Sequence, residues 1–349
     1  MHQSHYRVVR QIDQSQPQPA QKFKPELFFG WLEKQRGLAE RVVVCYEAGC
    51  FGYEPARQMQ AMGVEVYVIA PQNWDEQGKR QVNDKHDAQV MSRRLSEYLC
   101  GHEKAFSIVR IPTREEEARR AAGRIRDQLR RELRRMQAMG RSLLLQQRMV
   151  VRGRWWKGTS WQRISQVAPR WVVALLERWK KAIEPIEEQA EELEAELREG
   201  ASGQELLFGE GELTHELLAR ELIDPHRFRN ARQVSNYFGL CPSESSSAER
   251  RRLGSITKHG NPRLRRLMVE LAWRISRFQP RYRAVRRWVA VLYGPRTCAA
   301  ARKKAIVALA RRLAVDLWRI ATGRVKATEL GLVPRVKASS WLERQFLCE

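Results

Sequence analysis

The sequence lacks several features that would place it among common protein classes. Its six cysteines are scattered, and no two of them form a C-x-x-C pair, which argues against a zinc ribbon. No stretch reaches the ~18 consecutive apolar residues that a membrane-spanning helix needs. The first twenty residues are polar and contain prolines, so they do not resemble a signal peptide. These absences leave an intracellular protein with reduced thiols as the expectation.

Acidic residues are also scarce relative to basic ones. The 349 residues include 64 Lys and Arg but only 40 Asp and Glu, which gives a formal net charge of +24. A field of this sign concentrates polyanions, and the planar fork of arginine matches phosphate geometry. We therefore expect a nucleic acid as the partner, and no membrane.

The first hundred residues have an α/β pattern. Strands are predicted at Tyr6–Ile12, Arg41–Gly49 and Val64–Pro71, with short helices between and after them. From Thr113 a long arginine-rich helix is predicted, with an apolar stripe that includes Ile125 and Leu133. After a break at "VRGRWWKGTSW", a second helix ends at Gly200 in an acidic run that could pair with the first. The remainder is predicted to be mostly helical.

Three acidic residues are candidate metal ligands. Glu47 ends a predicted buried strand, and Asp84 and Asp87 lie three residues apart at the start of a helix. Carboxylate oxygens in this number suit Mg²⁺, with Mn²⁺ as an alternative ion, and such ions assist phosphodiester displacement. Taken singly, each acid is more simply explained as a solvated loop residue or a helix N-terminal charge. His86, between the two aspartates, is predicted to be an exposed helix residue.

The stretch "GLCPSESSSAERRRLGSITKHGNPRLRRL" combines small hydroxyls with cations. Ser245, Ser246 and Ser247 follow a proline turn, and any of them could attack phosphorus in a phosphate-attracting field. An ordinary serine-rich turn beside DNA-contacting arginines explains the pattern equally well, and spacing alone does not choose among the serines. The expected nucleic-acid contacts are Arg250, Arg251, Arg252, Lys258, Arg263, Arg265 and Arg266. The last three start a helix, where a positive charge opposes the helix dipole, so phosphate is expected to hold them.

Trp155 and Trp156, in "GRWWKG", allow two interpretations. They could stack on bases beside cations, or they could pack a loop onto the rest of the domain. Packing is the favoured interpretation.

Four blocks together resemble the transposases of insertion sequence 110 and its 1111 subgroup, relatives of the Piv invertases. The blocks are "VVVCYEAGCFGYEPARQMQAMGVEVYVIAP", "NDKHDA", "ARQVSNYFGLCPSESSS" with "RRLGSITKHGNPRLRRLMVELAW", and "RKKAIVALARRLAVDLWR". The serine-containing block is the specific one. The resemblance implies a RuvC-like (RNase H-type) α/β domain over residues 1–110, a helical coiled-coil linker over 111–200, and a mostly helical transposase domain over 201–349.

The resemblance also implies roles for particular residues. Glu47, Asp84 and Asp87 take three of four acidic metal positions, and Ser247 takes the place of the nucleophile, with Ser246 as second choice. The fourth acid, a leading aspartate, is expected at or just before Met1. The sequence "FGEGELT" replaces a Pro-Gly-x-Gly hairpin, although Gly209 and Gly211 remain as candidate backbone contacts to phosphate.

The expected function is therefore that of a DNA transposase in the bacterial cytoplasm, associated with the nucleoid. By resemblance it would cut and rejoin strands with Mg²⁺ and a 5′-phosphoserine intermediate. A bridge noncoding RNA would select the element ends and the target, and homodimers would pair into a tetramer. Two rivals stay open: a RuvC-like junction resolvase that uses water, and an inactive nucleic-acid-binding remnant without the first aspartate.

Overall fold

The computed structural model describes residues 4–72, 84–244 and 252–335. The chain divides into two compact units, Met1–Arg114 and Glu115–Glu349. The first is α/β and the second is mainly helical, in agreement with the expected α/β plus α class. The three-domain division stays a prediction.

The first unit is built around a small sheet. Its elements are β1 Tyr6–Val8, β2 Gln21–Phe23, α1 Pro25–Leu38, β3 Val43–Glu47, α2 Glu54–Ala61, β4 Glu65–Ile69, α3 Asp84–Leu99 and β5 Ile108–Val109. Strands β3 and β4 run parallel with Val43 opposite Glu65 and Glu47 opposite Ile69, and β5 pairs antiparallel with β4. Helix α2 connects the two parallel strands, so the predicted strand–helix–strand unit is confirmed.

The first strand is shorter than predicted. It ends at Val8 rather than Ile12 and pairs antiparallel with β2, Tyr6 opposite Phe23. The chain turns back between them, since the amide of Ser15 bonds to the carbonyl of Ile12 and that of Gln18 to the carbonyl of Arg10. The proline-containing segment therefore forms a return turn that terminates the strand.

The second unit contains most of the helical residues. Its elements are α4 Arg114–Gln146, α5 Gly158–Val167, α6 Arg170–Glu199, α7 Glu212–Leu222, α8 Ala231–Tyr237, β6 Pro242–Glu244, β7 Leu253–Ile256, α9 Pro262–Phe278, α10 Arg283–Tyr293 and α11 Ala299–Ala321, followed by a 3₁₀ turn at Thr328–Leu330. Helix α4 begins at the boundary between the units.

Helices α4 and α6 pack together with α5 between them in sequence. Leu133 and Leu144 of α4 share a buried cluster with Val172, Leu176 and Ile183 of α6. The predicted pairing of charges between the two helices is present: Glu194 accepts from Arg126 Nε at 2.7 Å and from Arg130 at 2.8 and 2.9 Å. Ile125 does not belong to the apolar stripe as predicted. Its side chain is 53% exposed, because Gly123, Asp127 and Leu133 turn the buried face of α4 away from it.

Helices α9 and α11 lie at the centre of the largest core. Leu264, Leu271 and Ile275 of α9 pack in one buried cluster with Leu309 and Leu313 of α11. One polar group interrupts this core: the carboxylate of Asp316 accepts a hydrogen bond from the hydroxyl of Tyr282 at 2.8 Å, and Arg312 reaches the same oxygen. Among the described helices, none is both long and apolar enough to cross a membrane.

Candidate nucleic-acid interface and serine hairpin

The serine block lies on a short β-hairpin of the second unit. Strands β6 and β7 pair antiparallel, with Pro242 opposite Ile256 and Glu244 opposite Leu253. Their connection, residues 245–251, carries Ser245, Ser246, Ser247, Arg250 and Arg251 and lies outside the described residues. The structure therefore shows where the serine segment begins and ends, and the nucleophile stays a prediction.

The base of this hairpin is attached to helices α8 and α9. The amide of Thr257 donates to the carbonyl of Cys241 at 2.8 Å, and the amide of Asn261 donates to the carbonyl of Tyr237 at 2.8 Å. Gly260 lies between them with φ +147°, a conformation that is essentially restricted to glycine. The close approach of backbone to backbone at this point fixes the end of β7 against the end of α8.

The start of α9 is capped by its own sequence. The side-chain oxygen of Asn261 accepts hydrogen bonds from the amides of Arg263 and Leu264, at 2.9 and 3.3 Å. Pro262 occupies the first helical position, where its lack of an N–H costs nothing. The Gly-Asn-Pro sequence thus determines where the helix after the serine hairpin begins.

Carboxylates of the protein itself hold two of the arginines for which phosphate was expected. Asp127 of α4 accepts from Arg263 Nη1 at 2.9 Å and from Arg266 Nη2 at 2.8 and 3.0 Å. Glu221 of α7 accepts from the side-chain amide of Asn261 at 2.8 Å. Both acids are more than nine-tenths buried. They compensate the unfavourable placement of cations at a helix start.

The other described cations of the block differ from one another in their surroundings. Arg265 donates to the carbonyl of Lys258 at 3.0 Å, so its guanidinium braces the turn before α9. Lys258, with φ +59°, and Arg252 are exposed on the β7 side of the hairpin. Their contacts with nucleic acid stay a prediction, as do those of Arg263, Arg265 and Arg266.

Asp127 and Glu221 are the residues that reasoning from sequence missed. Asp127 lies in "GRIRDQLRR" as the one acid among five arginines and hydrophobic residues, a pattern that signals a buried counter-charge. Its partners are 136 and 139 residues away along the chain. Only a contact between distant helices identifies them.

The predicted metal ligands all lie in the first unit. Glu47 is the last residue of β3 and is half-buried, while Asp84 and Asp87 occupy the first turn of α3. Helix α3 packs against β1 and β3. Among the residues the structure describes, no three His, Cys, Asp or Glu side chains are grouped closely enough to hold a metal ion. The metal site stays a prediction, whereas the exposure of His86 is confirmed.

The tryptophan pair has a packing role. Trp155 and Trp156 are completely buried; the indole N–H of Trp155 donates to the carbonyl of Gln137 and that of Trp156 to the carboxylate of Glu187, both at 3.1 Å. Lys157 also reaches Glu187, at 2.9 Å. The favoured interpretation of these residues is confirmed: they fill the space between α4 and α6.

The Gly-Glu-Gly segment before α7 holds a histidine. Glu210 is buried, accepts from the amide of Leu207 at 3.1 Å, and lies 3.0 Å from Nδ1 of His215. The hydrogen bond to Glu210 raises the pKa of His215, against the opposing effect of burial. Gly209 and Gly211 face Phe278 and Arg274, and their contact with phosphate stays a prediction.

This histidine makes stability depend on pH in a defined direction. Because its pKa is raised on folding, the charged pair stabilises the protein fully below the unfolded value of about 6.5 and loses its effect as pH rises through the folded value. We expect His215→Gln to lower the free energy of unfolding by about 1 kcal/mol at acidic pH and by less at alkaline pH. Urea unfolding of both proteins on either side of neutrality measures this. A deficit that grows with pH would contradict the assignment.

Comparison with known proteins is consistent with this geometry. A family model described as "Transposase IS116/IS110/IS902 family" matches residues 207–287, from α7 through the hairpin and α9 into α10. A putative transposase, y4rJ, of Sinorhizobium fredii is 30% identical over 304 residues, which cover 79% of this chain and 76% of the relative. The chain belongs to the IS110/IS1111 family of transposases.

Two further relatives extend the same comparison. The transposase for insertion sequence element IS1111A of Coxiella burnetii is 26% identical over 76% of this chain and 74% of its own length. That for element IS1328 of Yersinia enterocolitica is 28% identical over 66% of this chain and 70% of its own. The similarity to this transposase family therefore extends well beyond the serine hairpin.

Proposed function

We propose that this chain cuts and rejoins DNA strands through a covalent bond between Ser247 and a DNA phosphate. The observation that carries the proposal is the extent of the family match: residues 207–287 contain both strands of the hairpin, the connection with the serines, and the basic start of α9. A hairpin attached at its base to two helices can present one short connection repeatedly in the same place.

The proposed reaction consists of two displacements at phosphorus. In the first, the hydroxyl oxygen of Ser247 forms a bond to phosphorus, the bond from phosphorus to the 3′ oxygen breaks, and that oxygen leaves as a hydroxyl after taking a proton. The product is a 5′-phosphate ester of serine. In the second, a 3′-hydroxyl of another strand attacks the same phosphorus and releases the serine. Exposed Arg252 and Lys258, beside the hairpin, would stabilise the charge on the phosphate oxygens.

We further propose that the first unit is RuvC-like and binds Mg²⁺, or Mn²⁺, through Glu47, Asp84 and Asp87. Three carboxylates have the chemistry that these ions prefer, but the described residues do not form a three-ligand group. When bound, the ion would act as a Lewis acid on a phosphate oxygen.

The proposed partners follow from the charge of the chain and from its family. A net charge of +24 suits contact with two kinds of polyanion: element-end and target DNA, and a bridge RNA that selects them. A homodimer that pairs into a tetramer would bring two ends together in the bacterial cytoplasm.

The test is a search for protein-bound label. The purified protein is incubated with the structured RNA of its element, Mg²⁺ and end-labelled element-junction DNA, then denatured and separated on a gel. Label that migrates with the protein supports the phosphoserine. Cleavage without protein-bound label would indicate a water-using resolvase, and binding without cleavage an inactive remnant; either outcome overturns the proposal.

A further inference from the structure

Arginines crowd together where α4, α7 and α9 meet. The described residues of this region include ten arginines in contact with five carboxylates, most of them through side-chain ion pairs. The arginines are Arg119, Arg120, Arg124, Arg126, Arg130, Arg131, Arg198, Arg220, Arg263 and Arg266, and the acids are Asp127, Glu194, Glu216, Glu221 and Glu270. The acids leave a local surplus of positive charge.

Two pairs of these arginines lie on stripes of neighbouring helices. Arg124 and Arg131 are seven residues apart on α4, on either side of Asp127, and Arg263 and Arg266 are three apart on α9. Asp127 joins the stripes, since both α9 arginines bond to its carboxylate and Arg131 Nε donates to its backbone oxygen at 3.4 Å. We call these four side chains the arginine face.

The protein's own acids do not use all the donors of this face. The guanidinium hydrogen bonds of Arg124 use Nε and Nη2, those of Arg263 use Nη1, and those of Arg266 use Nη2. Within the described part of the chain, each of the three therefore keeps one terminal nitrogen outside these bonds. Their side chains are 45%, 27% and 39% exposed, so an anion from solvent can approach them.

Electrostatics supports the binding of a further anion at this position. Burial, together with the like charges of Arg124 and Arg131, holds the pKa of Arg263 below its ordinary value despite the pull of Asp127 and Glu221. Cations that repel one another in this way are stabilised by added negative charge. Spaced guanidinium groups on two helices suit a chain of phosphates better than a single small ion.

We propose that the arginine face binds a phosphodiester backbone, and so extends the nucleic-acid contacts of this transposase onto α4. The proposal rests on the proposed function in that it requires the protein to bind nucleic acid. Asp127 has a positioning role in it, because its carboxylate holds the two α9 arginines beside those of α4.

The salt dependence of binding tests the proposal. Affinity for a random-sequence DNA duplex and for a single-stranded RNA is measured by fluorescence anisotropy between about 50 and 200 mM salt. In Arg124→Gln/Arg131→Gln, the slope of log affinity against log salt is expected to fall by ~0.9 per lost phosphate contact on duplex, or ~0.7 on single strands. A larger loss on one probe identifies DNA or RNA as the source of the phosphates.

Two further variants control for net charge and for folding. Arg178 is an exposed arginine of α6 outside the face, so Arg178→Gln removes one charge and is expected to leave the slope unchanged. Arg131→Gln alone removes only a bond to a backbone oxygen, and is expected to lower the slope while the melting temperature stays that of the wild type.

The possible failures are distinguishable. Equal losses with Arg178→Gln, or an unchanged slope with both face variants, overturn the arginine face while wild-type binding leaves the proposed function standing. A wild-type protein that binds neither probe contradicts both proposals.

Discussion

Ser247→Ala is expected to abolish the covalent protein–DNA adduct and to reduce strand cleavage by about 10³-fold or more, the usual consequence of removing a nucleophile. Affinity for the junction DNA should stay close to that of the wild type, because the cations on β7 and α9 are unchanged. Label retained on the denatured protein, cleavage on a sequencing gel and anisotropy binding measure the three quantities separately.

Matched substitutions are available in the same segment. Ser245→Ala and Ser246→Ala remove a hydroxyl from the same connection between Glu244 and Leu253. Both are expected to keep the adduct. Loss of label with Ser246→Ala instead of Ser247→Ala would move the nucleophile by one residue. Retention of cleavage in all three variants would favour a water-using resolvase.

Local patterns predicted much of the fold. The β-branched runs before Gly49 and Pro71 became parallel strands β3 and β4, because β-branched residues suit a buried sheet and the helix between them is long enough for a crossover. The opposite charges of the two long helices predicted the contact of Arg126 and Arg130 with Glu194. Signals of this kind depend on residues that are neighbours in sequence or on a repeated helical period.

The surroundings of the α9 arginines could not be predicted in the same way. The sequence shows cations at a helix start and implies that something negative must lie nearby, but phosphate and carboxylate satisfy that requirement equally. The structure supplies Asp127 and Glu221, which lie on other helices. A buried carboxylate with three arginine partners also constrains these side chains, so their availability to nucleic acid depends on the donors that remain.

The tryptophans show how burial separates two interpretations that composition leaves open. Aromatic residues beside cations suit base stacking and core packing alike. Gly140 decides between them, since it leaves room on α4 for the indole of Trp155, whose ring atoms would lie within 2.8 Å of an added Cβ. The cations beside the pair, Arg154 and Lys157, are held by Glu187.

Gly260→Ala is expected to be the most damaging single methyl group in the serine hairpin. A Cβ at this position would lie 2.6 Å from the carbonyl oxygens of Asn236 and Tyr237 and 2.7 Å from the amide nitrogen of Gly239. All three are backbone atoms of α8 or its end, so no side chain can rotate away. Alanine also resists a φ of +147°. We expect the free energy of unfolding to fall by about 3 kcal/mol, measured by urea denaturation.

Gly323→Ala separates the two causes of that loss. Gly323 also has a positive φ, +70°, but a Cβ there would meet no atom within 4 Å. It should therefore lose only about 1 kcal/mol, from backbone strain alone. Cleavage measured well below the unfolding midpoint should remain normal in Gly323→Ala and fall in Gly260→Ala, because the collision at Gly260 displaces the end of β7 from α8 and with it the segment that carries Ser247. Equal stability losses in the two variants would show that strain, and not the contact between the hairpin and α8, makes glycine necessary at position 260.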